Sequence, residues 1–84
     1  MYRVLIERRA ERDLDSLPAK VFRQITVSIL NLANNHRPHG SQKLRGFDND
    51  YRIRIGDYRL LYEINDQRKI VRIFRVKIRS QAYR

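Results

Sequence analysis

The chain has no cysteine, so disulfide stapling and thiolate metal sites are both excluded. It has no apolar run near the ~20 residues that a membrane-spanning helix needs. The opening residues Met1-Tyr2-Arg3-Val4-Leu5-Ile6-Glu7 carry no long apolar stretch of the signal-peptide kind. A cytoplasmic protein without a membrane partner is the expectation. There is no internal repeat and no low-complexity tract. Acidic residues are scarce, 9 against 19 Lys and Arg, and lysine itself appears only at Lys20, Lys43, Lys69 and Lys77.

What remains is a single small domain, residues 1–84, with 42% hydrophobic and 33% charged residues. That apolar content is too high for a disordered polyelectrolyte. A chain this short buries only about 60–65% of its unfolded surface, too little for a deep cofactor pocket with a second lobe. The net charge is +10 and falls mainly in the second half, where twelve basic side chains face five acidic ones between residues 43 and 84. Arginine's planar fork suits bidentate contact with phosphate, so the bias points to a polyanion, RNA above all.

The periodicity predicts an α+β fold in the order β-α-α-β-β-β. Tyr2, Val4 and Ile6 alternate with Arg3, Leu5 and Glu7, a strand pattern. Ala10, Leu14 and Leu17 then recur at helical spacing, with Arg9 and Asp13 as an i, i+4 ion pair on the outer face. Pro18 begins a second helix, residues 18–34, with Ser16 as a cap upstream of it. Val21, Phe22, Ile25, Ile29 and Leu32 form its buried stripe. Residues 36–42 read as a polar loop, and His36 and His39 in it as solvent-facing turn residues. Strands are expected at 51–55, 58–64 and 70–76. The result is a twisted, mostly antiparallel sheet with the αα-hairpin packed on one face.

The pair Gly56-Asp57 between two β runs predicts a tight two-residue turn. Its register places Ile55 opposite Tyr58, Arg54 opposite Arg59 and Arg52 opposite Leu61. Arg52, Arg54, Arg59, Leu61 and Glu63 then share one face, and Ile53, Ile55, Tyr58, Leu60, Tyr62 and Ile64 cover the helices from the other. Arginines directly across from each other cost up to roughly 1 kcal/mol, a cost that a bound phosphate removes. Lys43, Arg45, Arg72, Arg75 and Lys77 extend the basic surface as candidate RNA-binding residues. The acidic residues show no metal-ligand spacing, and no cofactor is expected. A metal-free route to RNA cleavage needs only the substrate's 2′-hydroxyl, an aligned phosphate and charge stabilisation.

The runs Lys43-Leu44-Arg45-Gly46 and Tyr51-Arg52-Ile53-Arg54-Ile55-Gly56-Asp57-Tyr58-Arg59-Leu60-Leu61-Tyr62-Glu63-Ile64, followed by Arg79 and Tyr83, resemble the RelE toxins of the RelE/ParE superfamily. The resemblance covers nearly the whole chain. It implies the toxin of a type II toxin–antitoxin pair, neutralised by a cognate antitoxin whose extended and helical segment wraps it. It also implies a ribosome-dependent endoribonuclease that cuts messenger RNA in the ribosomal aminoacyl site. By the same resemblance Arg52 and Arg54 grip and activate the RNA, and Arg59 stabilises the phosphorane. Arg79 protonates the leaving oxygen and Tyr83 stacks on the scissile nucleotide.

The sequence departs from that family where it matters for proton transfer. Arg52 and Arg54 stand where one branch has lysines, and Ile78 precedes Arg79 where many relatives have histidine. Arginine stays protonated at any ordinary pH, so it is a poor base. Glu63 reads either as the base or as an ion-pair partner of Arg59. Two other functions compete: a ParE-type inhibitor of DNA gyrase, against which Arg59, Arg79 and Tyr83 speak, and a non-catalytic RNA-binding module.

Overall fold

The computed structural model describes residues 1–78. Strand β1 (Arg3–Ile6) leads into helices α1 (Arg8–Asp15) and α2 (Ala19–Asn31), and these into β2 (Gln42–Lys43), β3 (Asp50–Ile55), β4 (Tyr58–Asn65) and β5 (Ile70–Ile78). The five strands form one sheet in the order β1-β5-β4-β3-β2. Consecutive strands β2 to β5 pair antiparallel through short connections, whereas β1 pairs parallel with β5.

The helices form where the apolar spacing predicts, with sharper boundaries. Ala10 and Leu14 bury one face of α1. Ser16 is the C-cap of α1, its hydroxyl donating to the Asp13 carbonyl at 2.8 Å, and not a cap for the helix that follows. Pro18 supplies the extended residue from which α2 starts. Ile25, Ile29 and Leu32 are the buried stripe of α2; Phe22, expected to widen it, lies at its margin and is exposed. These residues pack on Leu60, Tyr62 and Ile64 of β4 and Val71, Ile73 and Val76 of β5 in one core.

The step from Ile73 to Val76 in that core is three residues where strict alternation allows two. The cause is a β-bulge: Leu61 faces Arg75 while the adjacent Tyr62 faces Ile73, leaving Phe74 as the extra residue. Beyond the bulge β5 has outrun β1, so an edge N–H needs another acceptor. Asp13 of α1 supplies it. Its Oδ2 accepts from the Val76 N–H at 2.8 Å and from Arg75 Nε at 2.8 Å. Asp13 is thus committed to β5 and not turned to the outer face of α1 toward Arg9.

The helix exit also differs from a plain polar loop. His36 is stacked on Tyr2 with ring centroids 3.9 Å apart, so it is not a solvent-facing turn residue, whereas His39 is exposed. Arg37 bridges Asp66 at 2.8 Å and donates to the Tyr51 hydroxyl at 3.2 Å. Tyr2 donates to the same Asp66 at 2.7 Å. The loop's last residue, Gln42, begins a strand of its own.

Candidate nucleic-acid interface

The β3–β4 hairpin sets the site. Gly56 has φ +60, and among the described residues the one positive φ outside glycine is at Lys69, so Asp57 is not left-handed. A positive angle at the first central position alone is the II′ pattern, whose twist suits a two-residue hairpin. The register follows as expected: Ile55 opposite Tyr58, Arg54 opposite Arg59, Arg52 opposite Leu61. Tyr62, Leu60 and Ile64 go to the core. By alternation the arginines take the opposite face, which the helices do not cover.

Pairing across all strands arranges that face in rows. Nearest the hairpin turn lie Arg54 on β3, Arg59 on β4 and Lys77 on β5. At the usual strand spacing this row of cations spans about 10 Å. The next row is Gln42, Arg52, Leu61 and Arg75. The third is Asp50, Glu63 and Arg72. One end of the face is therefore cationic and the other carries carboxylates.

The individual side chains sort by burial and partner. Arg59, on the middle strand, is only 8% exposed and is the one buried charged residue of the described chain. A guanidinium stays protonated at any ordinary pH, so this is a fixed cation. Arg54 is exposed; Arg52 and Lys77 are half-buried. Arg52, Arg54 and Arg59 are all engaged with neighbours in the fold. Arg52 Nη2 donates to Gln42 Oε1.

Two of the candidate RNA-binding residues are already matched by carboxylates. Arg72 sits between Glu7 and Glu63, with 3.0 Å to the latter. Arg75 is bound by Asp13. Lys43 and Arg45 are exposed at the β2 side. Glu63 is an ion-pair partner of Arg72, two rows from Arg59. Asp50 has its carboxyl pushed up from the ordinary value by burial. Arg79 and Tyr83 lie outside the described residues. No group of three or more His, Asp or Glu that could hold a metal comes together among the described residues.

Residues that the sequence did not single out are Gln42, Asp50 and Glu7. Asp50 is in phase with Arg52 and Arg54, a signal that was available. Gln42 had none, because a two-residue strand has no period to read.

Known proteins agree with this geometry. The sequence profile of the family described as the ParE toxin of the type II toxin–antitoxin system, parDE, matches residues 4–83. The chain is 33% identical over 84 residues to toxin RelE of Mycobacterium tuberculosis, covering 99% of this chain and 87% of the relative. It is 31% identical over 85 residues to toxin RelE3 of Methanocaldococcus jannaschii, covering 96% and 94%. The archaeal RelE in the RelE–RelB complex from Pyrococcus horikoshii superposes with a TM-score of 0.84 at 32% identity, covering 95% of this chain and 97% of that one. The isolated Escherichia coli RelE toxin gives 0.82 at 26%, covering 99% and 92%. Profile, relatives and fold converge, and the chain belongs to the RelE/ParE superfamily of type II toxin–antitoxin toxins as a RelE-type member.

Proposed function

We propose that the protein is a ribosome-dependent endoribonuclease that cuts messenger RNA in the aminoacyl site and thereby stops translation. The observation that carries this reading is the row Arg54–Arg59–Lys77 with Arg52 beside it, fixed cations on a sheet face that the helices leave uncovered. Chemistry on RNA can proceed there without a metal. The substrate's 2′-hydroxyl gives up its proton to solvent as its oxygen attacks the adjacent phosphorus, the bond to the 5′-oxygen breaks and that oxygen takes up a proton, and a cyclic phosphate and a 5′-hydroxyl remain. Arg52 and Arg54 hold the phosphates, and buried Arg59 offsets the added negative charge of the phosphorane. Arg79 protonates the leaving oxygen and Tyr83 stacks on the scissile nucleotide, as the family resemblance implies. Relatives solved as RelE–RelB toxin–antitoxin complexes support a cognate antitoxin as the neutralising partner in the cytoplasm.

The test is brief induction of the protein, mapping of message ends, and a supercoiling assay of purified gyrase. Codon-phased breaks in translated messages, reproduced in a purified translation system, are expected. Intact messages with inhibited gyrase would establish the ParE-type activity instead. If both are untouched and RNA is still bound, the protein is a binding module.

A further inference from the structure

We propose that Phe74 and Leu61 form an apolar seat within the arginine face, on which one base of the bound RNA packs while its phosphate lies on the row Arg54–Arg59–Lys77. The inference deepens the RNA reading above and rests on it. Leu61 lies between Leu60 and Tyr62, both buried in the core, so alternation turns it to the opposite face. There it stands across from Arg52 on one side and Arg75 on the other, two residues from Arg59 along its own strand. Phe74 reaches the same place through the bulge. Ile73 is in the core and Phe74 follows it, so its ring takes the face that the helices leave uncovered. At a bulge two residues of one strand oppose a single residue of the other, and here Phe74 and Arg75 oppose Leu61. Arg75 is held by Asp13, which leaves Phe74 as the apolar neighbour of Leu61 on the face.

Both side chains are half-buried, outside the core and in partial contact with water. Apolar area left open on such a face is unfavourable, and a flat apolar surface laid on it removes that cost. The pair extends over one cross-strand spacing, about 5 Å, the width of a single ring and not of a helix stripe. Arg52, Arg59 and Glu63 border it around Leu61, and Arg72 precedes Phe74 on the same side of β5. An apolar helix laid here would cover those charges as well. A nucleotide sets one flat ring on the apolar pair and keeps its charge outside. Leu61 lies two strand residues from Arg59, about 7 Å, a distance that a nucleotide spans from base to phosphate. An aromatic platform beside cations suits single-stranded RNA of any sequence, because every base has a π-face. The bulge serves both halves of this site. It places Phe74 on the face, and it keeps Lys77 in the cation row, where strict alternation after Ile73 would turn Lys77 to the core.

The experiment is equilibrium binding of a short 2′-O-methyl RNA oligonucleotide, which cannot be cut, and of the same strand with one base removed at each position in turn. Phe74→Ala should weaken binding by at least about fivefold, the lower end of what one base–aromatic contact contributes, and Leu61→Ala by less. Neither substitution removes a charge, so the slope of log K against log salt should keep its wild-type value. Removing one particular base should cost the wild type as much as Phe74→Ala does. It should cost Phe74→Ala nothing further, because both changes lose the same contact. Phe74→Tyr keeps the ring and should bind as the wild type does. If circular dichroism shows Phe74→Ala unfolded, Leu61→Ala carries the same base-removal comparison. Base-removal losses that are equal in wild type and variant at every position would overturn the inference, as would a lowered salt slope. RNA binding untouched by Phe74→Ala, with capture of a cognate antitoxin lost, would give the seat to a protein segment instead. A wild type that leaves the oligonucleotide unbound also ends the inference. The ribonuclease reading is judged separately, and survives each of these results while messages are cut.

Discussion

At the residue scale, Arg59 is the side chain whose environment most constrains its role. It is a buried, permanent cation on the middle strand, between Arg54 and Lys77. Burying a permanent cation is unfavourable in itself, and a phosphate brought to this face stabilises it. Arg59→Lys keeps the charge and loses the planar fork, so cleavage should fall by about 10²-fold, the usual loss when one preorganised donor to a developing charge is removed. A single-turnover assay checks it, with the circular dichroism of the variant unchanged. Glu63 is different. Its carboxylate is held by Arg72, so Glu63→Gln should alter the rate far less than Arg59→Lys. A loss as large as that of Arg59→Lys would make Glu63 the proton acceptor. Asp66 carries a pH signature instead. Its carboxyl is held below the usual range, first by the hydrogen bond from Arg37 and then by that from Tyr2. A depressed folded pKa contributes stability that is complete above the unfolded value of about 3.9 and is lost as pH falls through the folded one. Asp66→Asn should therefore lower the melting temperature at pH 7, and the difference from wild type should shrink as pH drops below about 4.

At the scale of elements, the strand β5 bulge connects α1 to the site. Asp13 holds the Val76 N–H and Arg75 immediately before Lys77, the β5 member of the cation row. Asp13→Ala leaves a strand N–H and a half-buried guanidinium without that acceptor, and should cost about 1–3 kcal/mol in urea denaturation. The less disruptive Asp13→Asn can still accept from one donor and should lose less. The same element separates what was readable in the sequence from what was not. The β3–β4 hairpin was readable because Gly56-Asp57 fixes the turn and the strands on either side of it alternate with Leu61 as the one apolar residue on the arginine face. That gave the opposition of Arg54 and Arg59 and the apolar side of Tyr58, Leu60, Tyr62 and Ile64. The bulge was not readable, since Phe74 is one residue whose insertion depends on how β4 and β5 meet. Arg72 and Arg75 therefore looked like equal members of a basic surface. Two of their partners, Glu7 for Arg72 and Asp13 for Arg75, lie more than sixty residues away in the chain, where local patterns carry no information. His36 is a similar case: its stacking partner is Tyr2, which only the closed fold brings to the helix exit.

For the whole molecule, a net charge of +10 invites the expectation that any polyanion binds anywhere, and the arrangement of the sheet argues otherwise. Among the described residues Arg37 is matched by Asp66, Arg72 by Glu7 and Glu63, and Arg75 by Asp13. The row Asp50–Glu63–Arg72 places carboxylates at the end of the face away from the hairpin turn. Basic side chains without an acidic residue in their row are thereby concentrated at the turn end, across the strands and not along them. The salt dependence of RNA binding should report this. Each phosphate neutralised on single-stranded RNA contributes about 0.7 to the slope of log K against log salt. Arg54→Ala and Lys77→Ala, measured with a non-cleavable oligonucleotide, should each flatten the slope by about that amount. Arg72→Ala should leave the slope nearly unchanged, although it removes the same formal charge, because its two carboxylate partners have already taken the place of counterions. Equal slope losses at Arg72 and Arg54 would mean that RNA runs along the strands past Glu63, and that net charge rather than its placement selects the ligand.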